Sequence, residues 1–108
     1  LNLSEYQTAA IKTAIYPKAI KVLYPTLGLT GEAGEVSNKV KKIFRDDNGI
    51  ITSERKAAVA SELGDVLWYL AALANDLELS LEDIARENLD ILASRQKRGT
   101  IKGDGDNR

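Results

Sequence analysis

Residues 57–77, AAVASELGDVLWYLAALANDL, are apolar nearly all the way round a helix and contain only three acids, Glu62, Asp65 and Asp76. A segment of that length and character predicts a long central helix against which the rest of the chain must pack. Glu62 and Asp65 stand three residues apart and project from one face of it. An ionised carboxylate removed from water without a partner is strongly destabilised, so such a group takes up a proton, pairs with a cation or binds a metal.

The same arrangement occurs earlier. In residues 26–40, TLGLTGEAGEVSNKV, Glu32 and Glu35 are again three apart, among Gly28, Gly31 and Gly34 and flanked by Leu27, Leu29, Val36 and Val40. Glycine inside a helix costs roughly 1 kcal/mol relative to alanine, so three of them at a spacing of three predict close backbone approach to something. If the two helices pack antiparallel, the acidic couples converge into a cluster of four carboxylates whose repulsion requires positive charge between them. A hard divalent cation meets that requirement.

The 108 residues form one domain, with an adequate but modest core that oligomerisation would complete. A formal net charge of −1 gives no overall basic character, which argues against nucleic acid as a partner. The absence of cysteine and histidine excludes disulfides, zinc sites built on sulfur or imidazole, thiolate nucleophiles and serine–histidine triads. The remaining chemistry is that of oxygen ligands and cations, which suits Mg²⁺, with Mn²⁺ as the alternative, and the missing E-x-x-H argues against a di-iron bundle. The longest uncharged run, residues 66–75, is about half of the roughly 20 residues a membrane span needs, so no membrane association and a cytoplasmic location are expected.

Four helices account for the pattern. Ser4 is placed to cap a first helix over residues 5–15, interrupted by Pro17; residues 17–25 read as a loop or a short helical turn. A second helix covers about 26–45, followed by a turn at Asp46-Asp47-Asn48-Gly49. Thr52 or Ser53 caps the central helix, and Ser80 caps a fourth, with Asp83 three residues on. After Gly99 the glycine-rich tail, residues 99–108, lacks an apolar period and reads as a loop or as disordered in isolation. The expected fold is all-α: an antiparallel four-helix bundle-like domain over residues 1–98 plus the tail, completed by oligomerisation.

The order E-x-x-E, 26 intervening residues, then E-x-x-D, with GLTGEAGEV around the first couple and ELGDVLWYL around the second, resembles the MazG-like members of the all-α nucleoside triphosphate pyrophosphohydrolases. The likeness runs from about Tyr24 to Arg108. It implies Mg-dependent hydrolysis of (deoxy)nucleoside triphosphates to nucleoside monophosphate and pyrophosphate, a house-cleaning role in the nucleotide pool, and a homodimer or homotetramer. Glu32, Glu35, Glu62 and Asp65 fall on the motif's metal-binding and catalytic positions. Tyr69, one turn beyond Asp65, and Asn88 on the fourth helix fit nucleotide-contacting positions. Many relatives carry a lysine three residues after that asparagine where this chain has Ile91, and Arg95 is a candidate to supply the missing charge. Lys42 is a further phosphate-binding candidate, although favourable interaction with a helix C-terminus accounts for both cations. The alternatives are a dUTP- or dCTP-type pyrophosphatase, a phosphoribosyl-ATP pyrophosphohydrolase, or a non-enzymatic helical interaction module whose acidic stripe is a solvated face.

Overall fold

The computed structural model describes residues 1–108 and is all-helical: α1 (Leu3–Ile11), a single 3-10 turn (Lys18–Ile20), α2 (Leu23–Asp47), α3 (Ser53–Asp76) and α4 (Leu81–Arg98). The long α2 and α3 form an antiparallel hairpin, and α1 and α4 pack against α3 and each other. The short connection between α2 and α3 follows from local chemistry. Asn48 leaves α2 in the left-handed region (φ 54°), Gly49 continues there (φ 80°), and the Thr52 side chain accepts from the Arg55 N–H (3.1 Å) to start α3. Arg55 spans the turn, pairing with Asp47 (2.8 Å) and Asp46 (3.5 Å). Ser80 caps α4 by accepting from the Asp83 N–H (3.3 Å), and Gly99 ends it at φ 72°.

The beginning of the chain differs from the sequence expectation. Asn2, not Ser4, caps α1, accepting from the Glu5 N–H at 2.8 Å. The helix stops at Ile11 instead of Ile15, because the Thr13 hydroxyl turns back to donate to the Ala10 carbonyl (2.7 Å) and accepts from the Trp68 indole N–H (2.8 Å). A small core of Ala10, Ala71 and Leu81, bordered by Leu3, Tyr6, Leu67 and Trp68, fixes α1 on α3. Gln7 adds a polar clip at the α3–α4 corner, donating to the carbonyls of Ala71 (3.3 Å) and Leu79 (3.1 Å) while accepting from the Leu81 N–H (3.0 Å).

Helix α2 also begins earlier than expected, at Leu23, with Pro25 in its first turn, where a backbone N–H has no helical partner to lose. Its N-cap residue, Val22, offers no side-chain cap and lies at φ 66°, a strained conformation for a β-branched residue. Asp76, at the far end of α3, holds it. One carboxylate oxygen accepts from the Val22 N–H (2.9 Å) and the Tyr16 hydroxyl (2.8 Å), and its charge faces the positive end of α2. Burial and the bond to Asp76 push Tyr16 up to about 12. A tyrosine held neutral beyond its usual value of about 10 contributes stability that is complete below pH 10 and is lost as the pH rises toward 12. Urea midpoints should therefore fall between pH 10 and 12 more steeply for the wild type than for Tyr16→Phe, which at pH 7 should be less stable by about 1 kcal/mol. Parallel slopes for the two proteins would contradict this role.

A single chain leaves much apolar surface uncovered. Its accessible area is 7863 Å², whereas a compact monomer of 11.8 kDa exposes roughly 5,900 Å². The radius of gyration is 16.8 Å, against about 13 Å for a compact chain of this length. The uncovered surface has a pattern. Val59, Leu63, Val66, Leu70, Leu73 and Leu77 recur on α3 at alternating steps of four and three, the spacing of a two-helix seam. Leu63, Leu70 and Leu77 are 53%, 39% and 50% exposed along it. Helix α3 is also long and apolar enough to cross a bilayer, with an 18-residue window of mean hydropathy 1.3. The longest uncharged run within it, residues 66–75, is about half of a span. Glu62 and Asp65, midway along α3 and grouped with a carboxylate of α2, fit a helix of a folded domain better than one in lipid.

Candidate metal centre

Glu32 on α2 and Glu62 and Asp65 on α3 converge, each offering a carboxylate oxygen within 4.8 Å of the others. The antiparallel hairpin sets this register, bringing residues a similar distance before and after the turn to the same level. Glu32 and Glu62 are half-buried and Asp65 is exposed. Desolvation, then the charge of Asp65, a side-chain hydrogen bond with Glu62 and the charges of Glu62 and Glu35 push the Glu32 carboxyl above its ordinary range. The four ion pairs of the fold lie elsewhere, at Arg45–Asp46, Arg55–Asp46, Arg55–Asp47 and Arg86–Glu82. Three negative groups are therefore gathered without a cation. A solvated acidic stripe would have its charges spread along one helix, interleaved with lysine or arginine.

Glu35 is exposed one turn along α2 from Glu32, outside the group of three but close enough for its charge to be felt there. Tyr69 follows Asp65 by one turn, and its ring lies across α2 at Gly28, where a methyl group would overlap it. Desolvation, then Tyr24, Glu32 and Asp65, push the Tyr69 hydroxyl upward. Gly28 thus has the close neighbour that its helical position predicts. Gly31 and Gly34 do not: nothing lies within 4 Å of where their Cβ atoms would stand, so close approach within one chain does not explain them.

The remaining candidates are not gathered at the carboxylates. Lys42 lies ten residues beyond Glu32, about 15 Å along the helix, and its charge acts on Asp46. Asn88 is exposed on α4, whose packing is on α1 and α3. Arg95 donates from Nη2 to the Asp106 carbonyl (3.1 Å), and its buried Nε has no partner. This bond belongs to a return of the tail along α4, which sequence composition did not anticipate. Arg98 donates to the Arg108 carbonyl, Thr100 does so at 3.1 Å, and the Arg108 guanidinium donates back to the Thr100 carbonyl at 3.1 Å.

Sequence reasoning missed Thr13, Tyr16, Tyr24 and the clamp residue Asp76. One signal was available: Tyr16, Tyr24, Trp68 and Tyr69 are four of the six aromatic residues, and the first two adjoin prolines.

An all-helical hairpin that gathers carboxylates from two helices offers a set of hard oxygen donors of the kind a divalent cation takes. Residues 23–100 match the family model of the MazG nucleotide pyrophosphohydrolase domain, and the chain belongs to that family. It is 52% identical to the Gene 37 protein of Mycobacterium phage L5 over 114 residues, covering 100% of both chains. It is also 35% identical to the uncharacterized protein YpjD of Bacillus subtilis (strain 168) over 78 residues, 71% of this chain and 69% of that one. No solved structure matches.

Proposed function

We propose that the chain is a Mg-dependent pyrophosphohydrolase of deoxynucleoside triphosphates that removes unwanted nucleotides from the cytoplasmic pool. The observation that carries this reading is the uncompensated trio Glu32, Glu62 and Asp65 within a domain of the nucleotide pyrophosphohydrolase class. Its donor set fits Mg²⁺, with Mn²⁺ as the substitute: hard oxygen ligands only, from two rigid helices, with no cation already neutralising them. When bound, the ion supplies positive charge to the triphosphate oxygens and acidifies water. Glu32, Glu62 and Asp65 hold it, and must all be ionised to do so. Glu35, one turn away and free of that group, accepts the proton of the water that attacks the α-phosphorus. The bond from that phosphorus to the bridging oxygen breaks, and pyrophosphate leaves in line with the entering water. Asn88 and Arg95, on α4, are the contacts proposed for the nucleotide, reaching it in the assembled protein.

The assembly is a homodimer or a pair of dimers. The excess of roughly 2,000 Å² of surface per chain is in the range that obligate partners bury, and the α3 seam gives a second copy a matching face. Release of pyrophosphate from a panel of ribo- and deoxynucleoside triphosphates, with Mg²⁺ and with EDTA, tests the activity. Monophosphate and pyrophosphate in equal amounts, formed only with the metal, are expected. Release of orthophosphate, or turnover undiminished in EDTA, would rule the proposal out.

A further inference from the structure

The returning tail builds a cleft on α4 that shares no residue with the carboxylate trio. Its volume is about 350 Å³, and it lies between Ser94, Arg95 and Arg98 of α4 and Asp106, Asn107 and Arg108 of the tail. The tail reaches this place by a defined path. Gly99 leaves α4 at φ 72°, the Thr100 N–H donates to the Arg95 carbonyl (2.9 Å), the Gly103 N–H donates to the Thr100 carbonyl (3.1 Å), and Gly105 turns the chain back at φ 81°. Arg108 lies across the turn it closes. Its guanidinium donates to the carbonyls of Thr100 (3.1 Å), Gly105 (2.6 Å) and Ile101 (3.4 Å), and its side chain passes so near Gly103 that a Cβ there would stand 2.7 Å from the Arg108 Cδ.

Three guanidiniums line this cleft, and none of them is paired with a carboxylate. Arg95 donates from Nη2 to the Asp106 carbonyl (3.1 Å), Arg98 donates from Nε to the Ser94 hydroxyl (3.0 Å) and from Nη1 to the Arg108 carbonyl, and Arg108 meets carbonyls alone. Glu87 and Asp90 are also on the wall, but both are exposed and neither forms an ion pair. The Arg95 Nε is buried and has no acceptor. A guanidinium makes its strongest bonds to carboxylate and phosphate oxygens, often two at once, so three of them held by neutral oxygens keep unused capacity for an oxyanion. A buried donor without an acceptor is destabilising and calls for an explanation, and an oxygen of a bound anion supplies one.

We propose that α4 and the tail form a site for a phosphate-type oxyanion, with pyrophosphate the best match to the size of the cleft and to its three guanidiniums, and that the tail is a strap which such an anion holds closed. Residues 101–108 lie past the region matched by the family model, so Arg108 and the strap are additions to the shared domain. The ligand has two sources. It is either the phosphate chain of a nucleotide seated across the assembled protein, where Arg95 is a proposed contact, or free pyrophosphate, the product of the proposed reaction. The choice between the sources rests on the pyrophosphohydrolase reading; the site itself does not.

Inorganic pyrophosphate in EDTA tests the site apart from the metal centre and from turnover. By calorimetry it should bind the wild type and Glu62→Gln alike, and it should slow tryptic cleavage after Lys102, an exposed residue of the strap, by at least about tenfold. Arg108→Gln should raise the dissociation constant by at least about tenfold. Gly103→Val, which alters no charge but displaces the Arg108 side chain, should do the same, with both variants keeping the helical circular dichroism of the wild type. No binding, equal binding by the wild type and the two strap variants, or unchanged cleavage after Lys102 would overturn the proposal. Binding that Glu62→Gln abolishes would assign the anion to the metal centre and overturn it as well. A deoxynucleoside triphosphate with a methylene group at the α–β bridge, added with Mg²⁺, separates the sources: if Arg108→Gln weakens the analogue and pyrophosphate alike, the cleft takes the substrate's phosphates, and if it weakens pyrophosphate only, the cleft holds the free anion. A wild type that hydrolyses no triphosphate but still binds pyrophosphate would overturn the hydrolase reading and leave the oxyanion site standing.

Discussion

Replacing Glu62 by glutamine should lower turnover of a deoxynucleoside triphosphate by at least about 1,000-fold, equivalent to roughly 4 kcal/mol of transition-state stabilisation. The neutral amide keeps the size of the side chain but removes one of three charges that hold the cation. The same change should not harm the fold. Glu32 is pushed toward protonation by desolvation and by the charges of Asp65 and Glu62, so in the absence of metal the cluster works against folding. Removing a charge relieves that repulsion. In EDTA, Glu62→Gln should melt at the same temperature as the wild type or higher, while the rise in Tm that Mg²⁺ gives the wild type should disappear. This opposition of signs distinguishes a ligand from a structural acid: a carboxylate kept for stability would lower Tm when neutralised, with or without metal. Glu62→Gln that retains more than a tenth of wild-type turnover would remove it from the centre.

The second large effect concerns assembly. Leu70→Asp should convert the oligomer to monomers at micromolar concentration, as read by light scattering or sedimentation. If α3 seams face each other, each pair loses two leucines from its contact, worth about 1.5–3 kcal/mol apiece, and would have to bury two carboxylates. The dissociation constant should rise by at least about 1,000-fold. Leu70 lies one residue beyond Tyr69, on the adjoining face, so the variant also tests whether activity needs the assembled protein. A wild type that is monomeric at these concentrations, or a variant that stays fully associated, would show that the seam serves another purpose.

The fold was legible where short-range chemistry decides it. Thr52, Ser80 and Gly99 mark helix ends by side-chain capping or a left-handed φ, and all three do so in the structure. The misread ends depend on distant residues. Helix α1 stops early because Thr13 meets Trp68, 55 positions away, and α2 starts early because Asp76 caps Val22 across 54 positions. The acidic trio was legible because carboxylates on a nearly apolar helix have few other uses. The placement of Asn88 and Arg95 was not, since α4 lies away from α2 within one chain and its period says nothing about where its outer face goes. The α3 seam was hidden for the opposite reason: in a helix apolar on most sides, one heptad stripe does not stand out until the other faces are seen to be covered.

Helix α3 carries two obligations on neighbouring faces. Glu62, Asp65 and Tyr69 look toward α2, while Leu63, Val66 and Leu70 each follow one position later on the seam. A residue inserted or deleted inside the helix turns everything beyond it by about 100°, taking acids and leucines off station together. No compensating shift of α2 could repair both faces. Changes in length should therefore be tolerated only in the joints, at residues 12–22, 48–52 and 77–80 and after residue 98, while α3 can change its letters but not their count. In evolutionary terms this helix acts as a ruler: chains of this design can drift far in composition and still keep the interval from acid to acid and from leucine to leucine.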